Sequence, residues 1–355
     1  MSVQLLVFVY QDNFFHEGGG KKLIKKMSAI ILMLSLTLFV SSCLRESLAT
    51  NDEPVYIEVI VKNKDAPFWS VVEMGAIAAG KEFGISVHFD GPTDEKKIDE
   101  QINMVRKAIE SNADAIVLAA CDYERLVDVV DEAVAKKIPV ITIDSGLNSK
   151  NVKSFIGTDN VDAGKKLGQA LVDKVGDNSK IAVMSFVKEA ASCVDREKGL
   201  FEAFGSYENI QVLDVKYCNS DINLAEQLTL EILEKYPDVN AIIGLNAQAT
   251  TGAARAISSQ KKANIIKVIG FDNTPEEIRY MENDVIQSLV VQNPYNMGYL
   301  GVKYAYDAIN NENVPEIVDT GSTVIDKVNM YYTENQKLVF PFTDYYNDYN
   351  SDYDH

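Results

Sequence analysis

Ten short aliphatic runs, separated by amphipathic stretches, occupy the chain between residues 55 and 291. They are VYIEVIV (55–61), ISVHF (85–89), AIVLAA (115–120), PVITI (139–143), SFI (154–156), KIAVMSF (180–186), QVLDVKY (211–217), NAIIGL (240–245), IIKVIGF (265–271) and VIQSLVV (285–291). Several are continuous in β-branched residues rather than alternating, the pattern of strands covered on both faces. Between them the period changes. In DEQINMVRKAIESN, Ile102, Val105 and Ile109 recur at three and four residues and give a helix with one apolar face. Alternation of this kind predicts an α/β fold with parallel sheets made of βαβ units. One ten-strand sheet would satisfy the pattern, but a length of 355 residues and the polar GTDNVDAG (157–164) favour two similar Rossmann-like lobes. Ser70 and Glu73 have capping-box spacing at the start of the first helix, and Gly84 is placed to end it.

Ligands of parallel sheets sit beyond the carboxyl ends of the strands. Lys62 follows the first run, Asp90 the second and Asp144 the fourth; Asn219, Ser220 and Asp221 come soon after VLDVKY. Asn246, Asp272 and Gln292 follow IIGL, VIGF and SLVV. Any one of these reads equally well as a turn residue or helix N-cap. Together they point to a polar cleft. Phe68 and Trp69, the latter the only tryptophan, stand side by side on the first strand-to-helix turn. Two such rings either fill the core or offer a flat surface to a ligand.

Residues 1–42 read as a targeting segment. Lys21, Lys22, Lys25 and Lys26 precede the apolar AIILMLSLTLFV (29–40), which is short for a membrane span. VSSC (40–43) then resembles the lipobox of bacterial lipoproteins, implying cleavage before Cys43 and lipidation of its thiol. Residues 1–20 lie upstream of a normal signal-peptide start, so translation is expected to begin at Leu23 or Met27. Loss of residues 1–42 removes four lysines and two acids and takes the formal charge from −18 to −20. Such a surface repels nucleic acid, so no nucleic-acid partner is expected. Cys121, Cys193 and Cys218 match no metal spacing, and a Cys193–Cys218 disulfide is left open. With His16, His88 and His355 the only histidines, neither a metal site nor a Ser-His-Asp arrangement can be assembled; no cofactor is expected.

From about residue 55 to 330 the chain resembles the ribose-binding protein family, the periplasmic-type sugar receptors of ABC transporters. The resemblance rests on APFWSVVEMGA, IPVITIDS, FIGTDNVDAGKKLG, DREKGLFEAF, YPDVNAIIGLNAQATTGAARAI, VIGFDNTPE and VVQNPYNMG, in that order. It implies two lobes joined by three hinge strands, near Thr158, Gln292 and Gly321, that close over a ligand. One lobe would comprise 55–158 plus 293–321 and the other 159–292 plus 322–336, after a lipidated linker (43–54) and before an acidic, tyrosine-rich tail (337–355). It also implies roles. Phe68 and Trp69 match stacking aromatics, with Phe271 another ring beside the sugar. Asp144 matches the acid that grips hydroxyls, Arg196 an arginine from the second lobe, and Asn246, Asp272 and Gln292 further polar contacts. Lys62 stands where the ribose receptor has a small hydroxyl residue, and Ala66, Ser145 and Ser220 depart from it too, which puts ribose itself in doubt. A lysine there and Asp-Ser after the fourth strand also occur in receptors for rhamnose and for a furanose-type signal. The expected function is a monomeric, lipid-anchored solute-binding protein that delivers a pentose or hexose to an ABC permease. The alternative is a sensor that presents its ligand to a membrane kinase or chemoreceptor. An enzyme on the same scaffold, with Asp144 and Asp272 as acid and base, is disfavoured because no nucleophile, phosphate loop or metal set accompanies them.

Overall fold

A computed structural model describes residues 55–263 and 265–340. The expected signal segment, Cys43, the expected linker up to residue 54 and the part of the expected tail from 341 onward lie outside the described residues.

All ten apolar runs are strands, and they divide between two six-stranded sheets. The first sheet contains β1 (Tyr56–Ile60), β2 (Ser86–Asp90), β3 (Ala115–Leu118), β4 (Val140–Ile143), β5 (Ser154–Gly157) and the short β11 (Ile317–Asp319). Its order is β11-β5-β4-β3-β1-β2 and every pairing is parallel. The second contains β6 (Lys180–Ser185), β7 (Gln211–Tyr217), β8 (Ala241–Gly244), β9 (Lys267–Phe271), β10 (Ile286–Gln292) and β12 (Ser322–Ile325). Its order, β12-β10-β9-β8-β6-β7, is parallel except for the antiparallel β10–β12 pair.

The helices are α1 (Pro67–Phe83), α2 (Ile98–Glu110), α3 (Val127–Ala135), α4 (Asn160–Val175), α5 (Ala191–Phe204), α6 (Ile222–Lys235), α7 (Ala247–Ser259), α8 (Pro275–Glu282), α9 (Pro294–Ile309) and α10 (Thr333–Val339). They cover the sheets on both faces, which is why the strand sequences do not alternate. Ile57, Val59, Val117, Ile141 and Ile143 pack with Val72 and Val302 on one face of the first sheet. Their neighbours Ile60, Ile116, Leu118 and Val140 pack with Val105 and Val129 on the other. The side-chain period of two thus feeds two cores from one strand. Each buried aliphatic side chain contributes about 1.5–3 kcal/mol of transfer free energy.

The first helix starts earlier than Ser70 and Glu73 predict. Its N-cap is Ala66 and makes no side-chain cap; Pro67 at the first position supplies the helical φ instead. The one capping box among the described helix starts is Thr274 with Glu277, opening α8. Gly84 ends α1 as expected, with φ +68°. Because a side chain there is forced into the left-handed region, Gly84→Ala should lower stability by about 1 kcal/mol in urea denaturation. An unchanged midpoint would contradict the cap.

The chain passes between the sheets three times, from β5 to α4, from β10 to α9 and from β11 to β12. Two of these passages are tied together. Asp319 Oδ1 accepts from the backbone N–H of Asp159 at 3.0 Å and of Gly321 at 2.8 Å. Lys166 Nζ donates to the Ser322 carbonyl at 3.0 Å.

Cys121, Cys193 and Cys218 are all buried and free, so the Cys193–Cys218 disulfide does not form. Burial pushes the Cys193 thiol up to about 11 and the Cys218 thiol up to about 12, leaving both protonated at neutral pH. Among the described residues no helix is long and apolar enough to cross a membrane, and no cluster of three His, Cys, Asp or Glu side chains is arranged to hold a metal ion.

Candidate ligand-binding site

The carboxyl edges of the two sheets face each other across a cavity of about 450 Å³, including its open mouth. The first sheet contributes Lys62 after β1, Phe68 and Trp69 on α1, Glu95 in the loop after β2, and Asp144 after β4. The second contributes Phe186 after β6, Ser192 and Arg196 on α5, Asn246 and Gln248 at the start of α7, Asp272 after β9, Thr274, and Gln292 at the end of β10.

Parallel-strand ends present these groups in matched fashion. Asp144 and Asp272 each follow a central strand and each hold a left-handed backbone, φ +57° and +74°. Their amides continue the ladder, to the Ile156 carbonyl at 3.0 Å and the Val290 carbonyl at 2.9 Å. Aspartate tolerates this conformation better than most residues, and such outliers concentrate at functional sites.

Lys62 Nζ lies 2.8 Å from Asp144 Oδ2, with both side chains about 4% exposed. Burial pushes the lysine pKa down, but the charges of Asp144 and then Glu95 more than offset this, and it ends above its ordinary value. The lysine is therefore charged. Glu95 is itself buried, and that burial raises its pKa against the pull of Lys62.

On the opposite wall Arg196 is also buried, which lowers its pKa, while Asp272 and Asp144 oppose the shift. Its Nε donates to Asn160 Oδ1 at 2.9 Å and its Nη1 to the Leu245 carbonyl at 2.8 Å. The guanidinium carbon stands 3.8 Å from the centre of the Phe271 ring, a cation–π contact strengthened by desolvation. Asp272 accepts from Ala247 N at 3.0 Å and from Gln292 Nε2 at 2.8 Å; burial nevertheless leaves its pKa raised. Asn246 caps α7 through Ala249 N and donates to Ser220 Oγ at 3.1 Å. It thus serves both readings open from the sequence, cap and cavity wall.

Trp69 likewise does two jobs. It belongs to the first sheet's core, and it lines the cavity. Phe68 meets it edge-on with ring centres 5.0 Å apart, and Lys62 Nζ lies 5.7 Å from the indole centre.

Of the nine ligand-binding candidates read from the sequence, the structure brings eight to the cavity: Lys62, Phe68, Trp69, Asp144, Arg196, Asn246, Asp272 and Gln292. The ninth, Phe271, is fully buried behind the Arg196 guanidinium and does not line it. The reason is strand alternation: Phe271 is the last residue of β9 and turns inward, so Asp272 turns to the cleft.

Residues 57–313 match the family described as periplasmic binding protein domain. The chain belongs to the ribose-binding-like periplasmic binding protein family. The ribose import binding protein of Bacillus subtilis (strain 168) is 26% identical to this binding protein over 301 residues, 83% of this chain and 96% of the relative. A solved ABC transporter solute-binding protein from Agrobacterium vitis with bound D-fucose is 35% identical with a TM-score of 0.78, covering 80% of this chain and 100% of that one. A carbohydrate transporter solute-binding protein from Agrobacterium radiobacter, in complex with D-arabinose, is 30% identical with a TM-score of 0.78, covering 81% and 99%. These relatives are binding proteins, not enzymes.

Sequence reading missed several residues of this binding protein's cavity. Glu95 lies inside the charged run DEKKIDE, which reads as a solvated surface. Phe186 closes the sixth run, Ser192 is a helix residue, and Gln248 and Thr274 stand two positions past predicted ones. Asn160 touches Arg196 rather than the cavity; its place at the passage into α4 was the only signal.

Proposed function

We propose that this protein captures a monosaccharide, a pentose or hexose, in the cavity between its sheets and delivers it to an ABC sugar permease from an extracytoplasmic, lipid-anchored position. The observation that carries the reading is the convergence, on one small cavity, of aromatic faces with buried carboxylate, amide and cationic groups. A sugar ring has apolar C–H faces, which suit Trp69 and Phe68. Its hydroxyl rim suits Asp144, Asp272, Gln292, Asn246, Arg196 and Lys62. Sugar ligands in related structures, and the match of relatives over nearly their whole length, support the same reading. Hinge closure would bring the two walls together, with the three passages between the sheets bending. The anchor would be Cys43.

The test is a ligand panel on the full chain, followed by melting temperature and by fluorescence of its only tryptophan, Trp69. The panel holds ribose, allose, arabinose, fucose, rhamnose, inositol and the furanose-type signal. A sugar at a hundred times its dissociation constant should add about 2.7 kcal/mol of stability and change the emission. Silence across the whole panel in both signals would sink the sugar reading.

A further inference from the structure

Among the described residues, three buried side-chain atoms that line the cavity lack a hydrogen-bond partner: Glu95 Oε2, Ser192 Oγ and Gln292 Oε1. Glu95 Oε2, when ionised, and Gln292 Oε1 can only accept, and the Ser192 hydroxyl can accept as well. Buried acceptors without donors are costly, so the cavity wants donated protons. Glu95 is the member of this set carried by the loop after β2. Burial raises its pKa, and the Lys62 charge and then a hydrogen bond from the Ser220 hydroxyl oppose that shift and favour its charge. Ser220 Oγ already accepts from Asn246, which leaves its proton for the Glu95 carboxylate.

The charge balance points the same way. Glu95, Asp144 and Asp272 oppose Lys62 and Arg196, the other charged residues lining the cavity. Lys62 is paired with Asp144, and Arg196 gives Nε to Asn160 and Nη1 to the Leu245 carbonyl over the Phe271 face, so Nη2 is the guanidinium nitrogen outside these bonds.

We propose that Glu95 is a specificity-determining residue, whose Oε2 accepts a hydroxyl proton from the bound sugar and whose charge rejects anionic sugars such as uronic acids and sugar phosphates. This rests on the sugar-binding reading and narrows its substrate class to uncharged sugars.

The experiment is titration calorimetry on the full chain with D-ribose, D-allose, D-arabinose, D-fucose and D-galactose, then D-galacturonate and D-ribose 5-phosphate. Wild type should bind a neutral sugar and neither anion. Glu95→Gln keeps the shape but not the charge, and should weaken the neutral sugar by about 10–100-fold, the range for a hydrogen bond to a charged group. Mono-deoxy analogues of that sugar separate recognition from a structural role. One analogue should bind wild type correspondingly worse yet show little further loss in Glu95→Gln, because the two deletions remove the same contact. A structural role would weaken every analogue alike. If Glu95→Gln does not fold, Glu95→Asp replaces it: it should still reject the anions while losing the same discrimination. Unchanged affinities and unchanged deoxy discrimination overturn the inference, as does tight binding of either anion by wild type. Loss of the neutral sugar on Asp144→Asn but not on Glu95→Gln overturns it alone and leaves the sugar reading standing. Binding of no neutral sugar by wild type overturns both.

Discussion

Asp144→Asn is expected to lower the stability of the unliganded protein by about 3 kcal/mol and to cut sugar affinity sharply. Asparagine keeps the size of the side chain and tolerates the left-handed backbone, φ +57°, so the change removes charge and little else. What it leaves behind is the Lys62 ammonium, about 4% exposed and stripped of the group 2.8 Å away. Breaking a buried pair from one side usually costs about 3–5 kcal/mol; Glu95 remains as a second partner and holds the loss at the low end. A second substitution separates stability from function. Lys62→Met in the Asp144→Asn background removes the orphaned cation and should recover most of the stability, because an apolar replacement of a buried pair is often neutral. It should recover no sugar binding.

The sign of the pH dependence follows from linkage. In wild type the lysine pKa is raised above 10.5, so its contribution is complete at neutral pH and is lost only above that value. In Asp144→Asn burial dominates, the folded-state pKa falls below the unfolded one, and the unfolded chain binds the extra proton. The deficit should therefore shrink as pH rises from 7 toward 10. Urea denaturation at several pH values reads this directly; a deficit independent of pH would mean that Lys62 is not the group at fault.

Gly298→Ala is expected to cost stability at the upper end of overpacking, about 3 kcal/mol or more. A Cβ at Gly298 on α9 would meet the Val72 carbonyl oxygen of α1 at 1.9 Å and the Ala76 nitrogen at 2.9 Å. Helix propensity pulls the other way by up to about 1 kcal/mol. The steric effect wins because the opposing atoms are backbone, so the two helices must part and the Val72–Val302 side of the core must open. Gly205 supplies the contrast. It is exposed, with helical φ −57° and nothing closer to an added Cβ than the Glu202 carbonyl oxygen at 3.4 Å, so Gly205→Ala should be neutral or slightly stabilising. Thermal melts of the two variants should move in different directions or differ by several degrees. Equal melting temperatures would refute the close approach of α1 and α9.

Ten strands were legible because strands covered on both faces must be apolar throughout, and VITI or AIIG offers a helix no polar side. β11 and β12 carried no such signal: three and four residues long, half-exposed, and written in the polar EIVDTGSTVI. Their place was implied only by resemblance. The site was legible where a side chain directly follows a strand, as at Lys62, Asp144 and Asp272, since topology alone delivers that position to the sheet edge. Arg196 sits in mid-helix, and no local pattern singles it out from other helical arginines. Glu95 was hidden for the opposite reason. It lies five residues beyond β2 among lysines and acids, and only the folded loop turns that one carboxylate inward while its neighbours stay in water.

Gly298 and Gly75 let α9 and α1 touch backbone to backbone, and Gly164 and Gly199 do the same for α4 and α5. In each pair one helix bears cavity residues and the other begins where the chain arrives from the opposite sheet. The cavity is therefore split into two prefabricated jaws, Lys62, Trp69, Glu95 and Asp144 in one and Arg196, Asn246, Asp272 and Gln292 in the other. Each jaw is fixed to its own sheet, so a substitution that retunes one need not disturb the other. Ligand preference in this chain can therefore be altered through one jaw, with the residues of the other left in place.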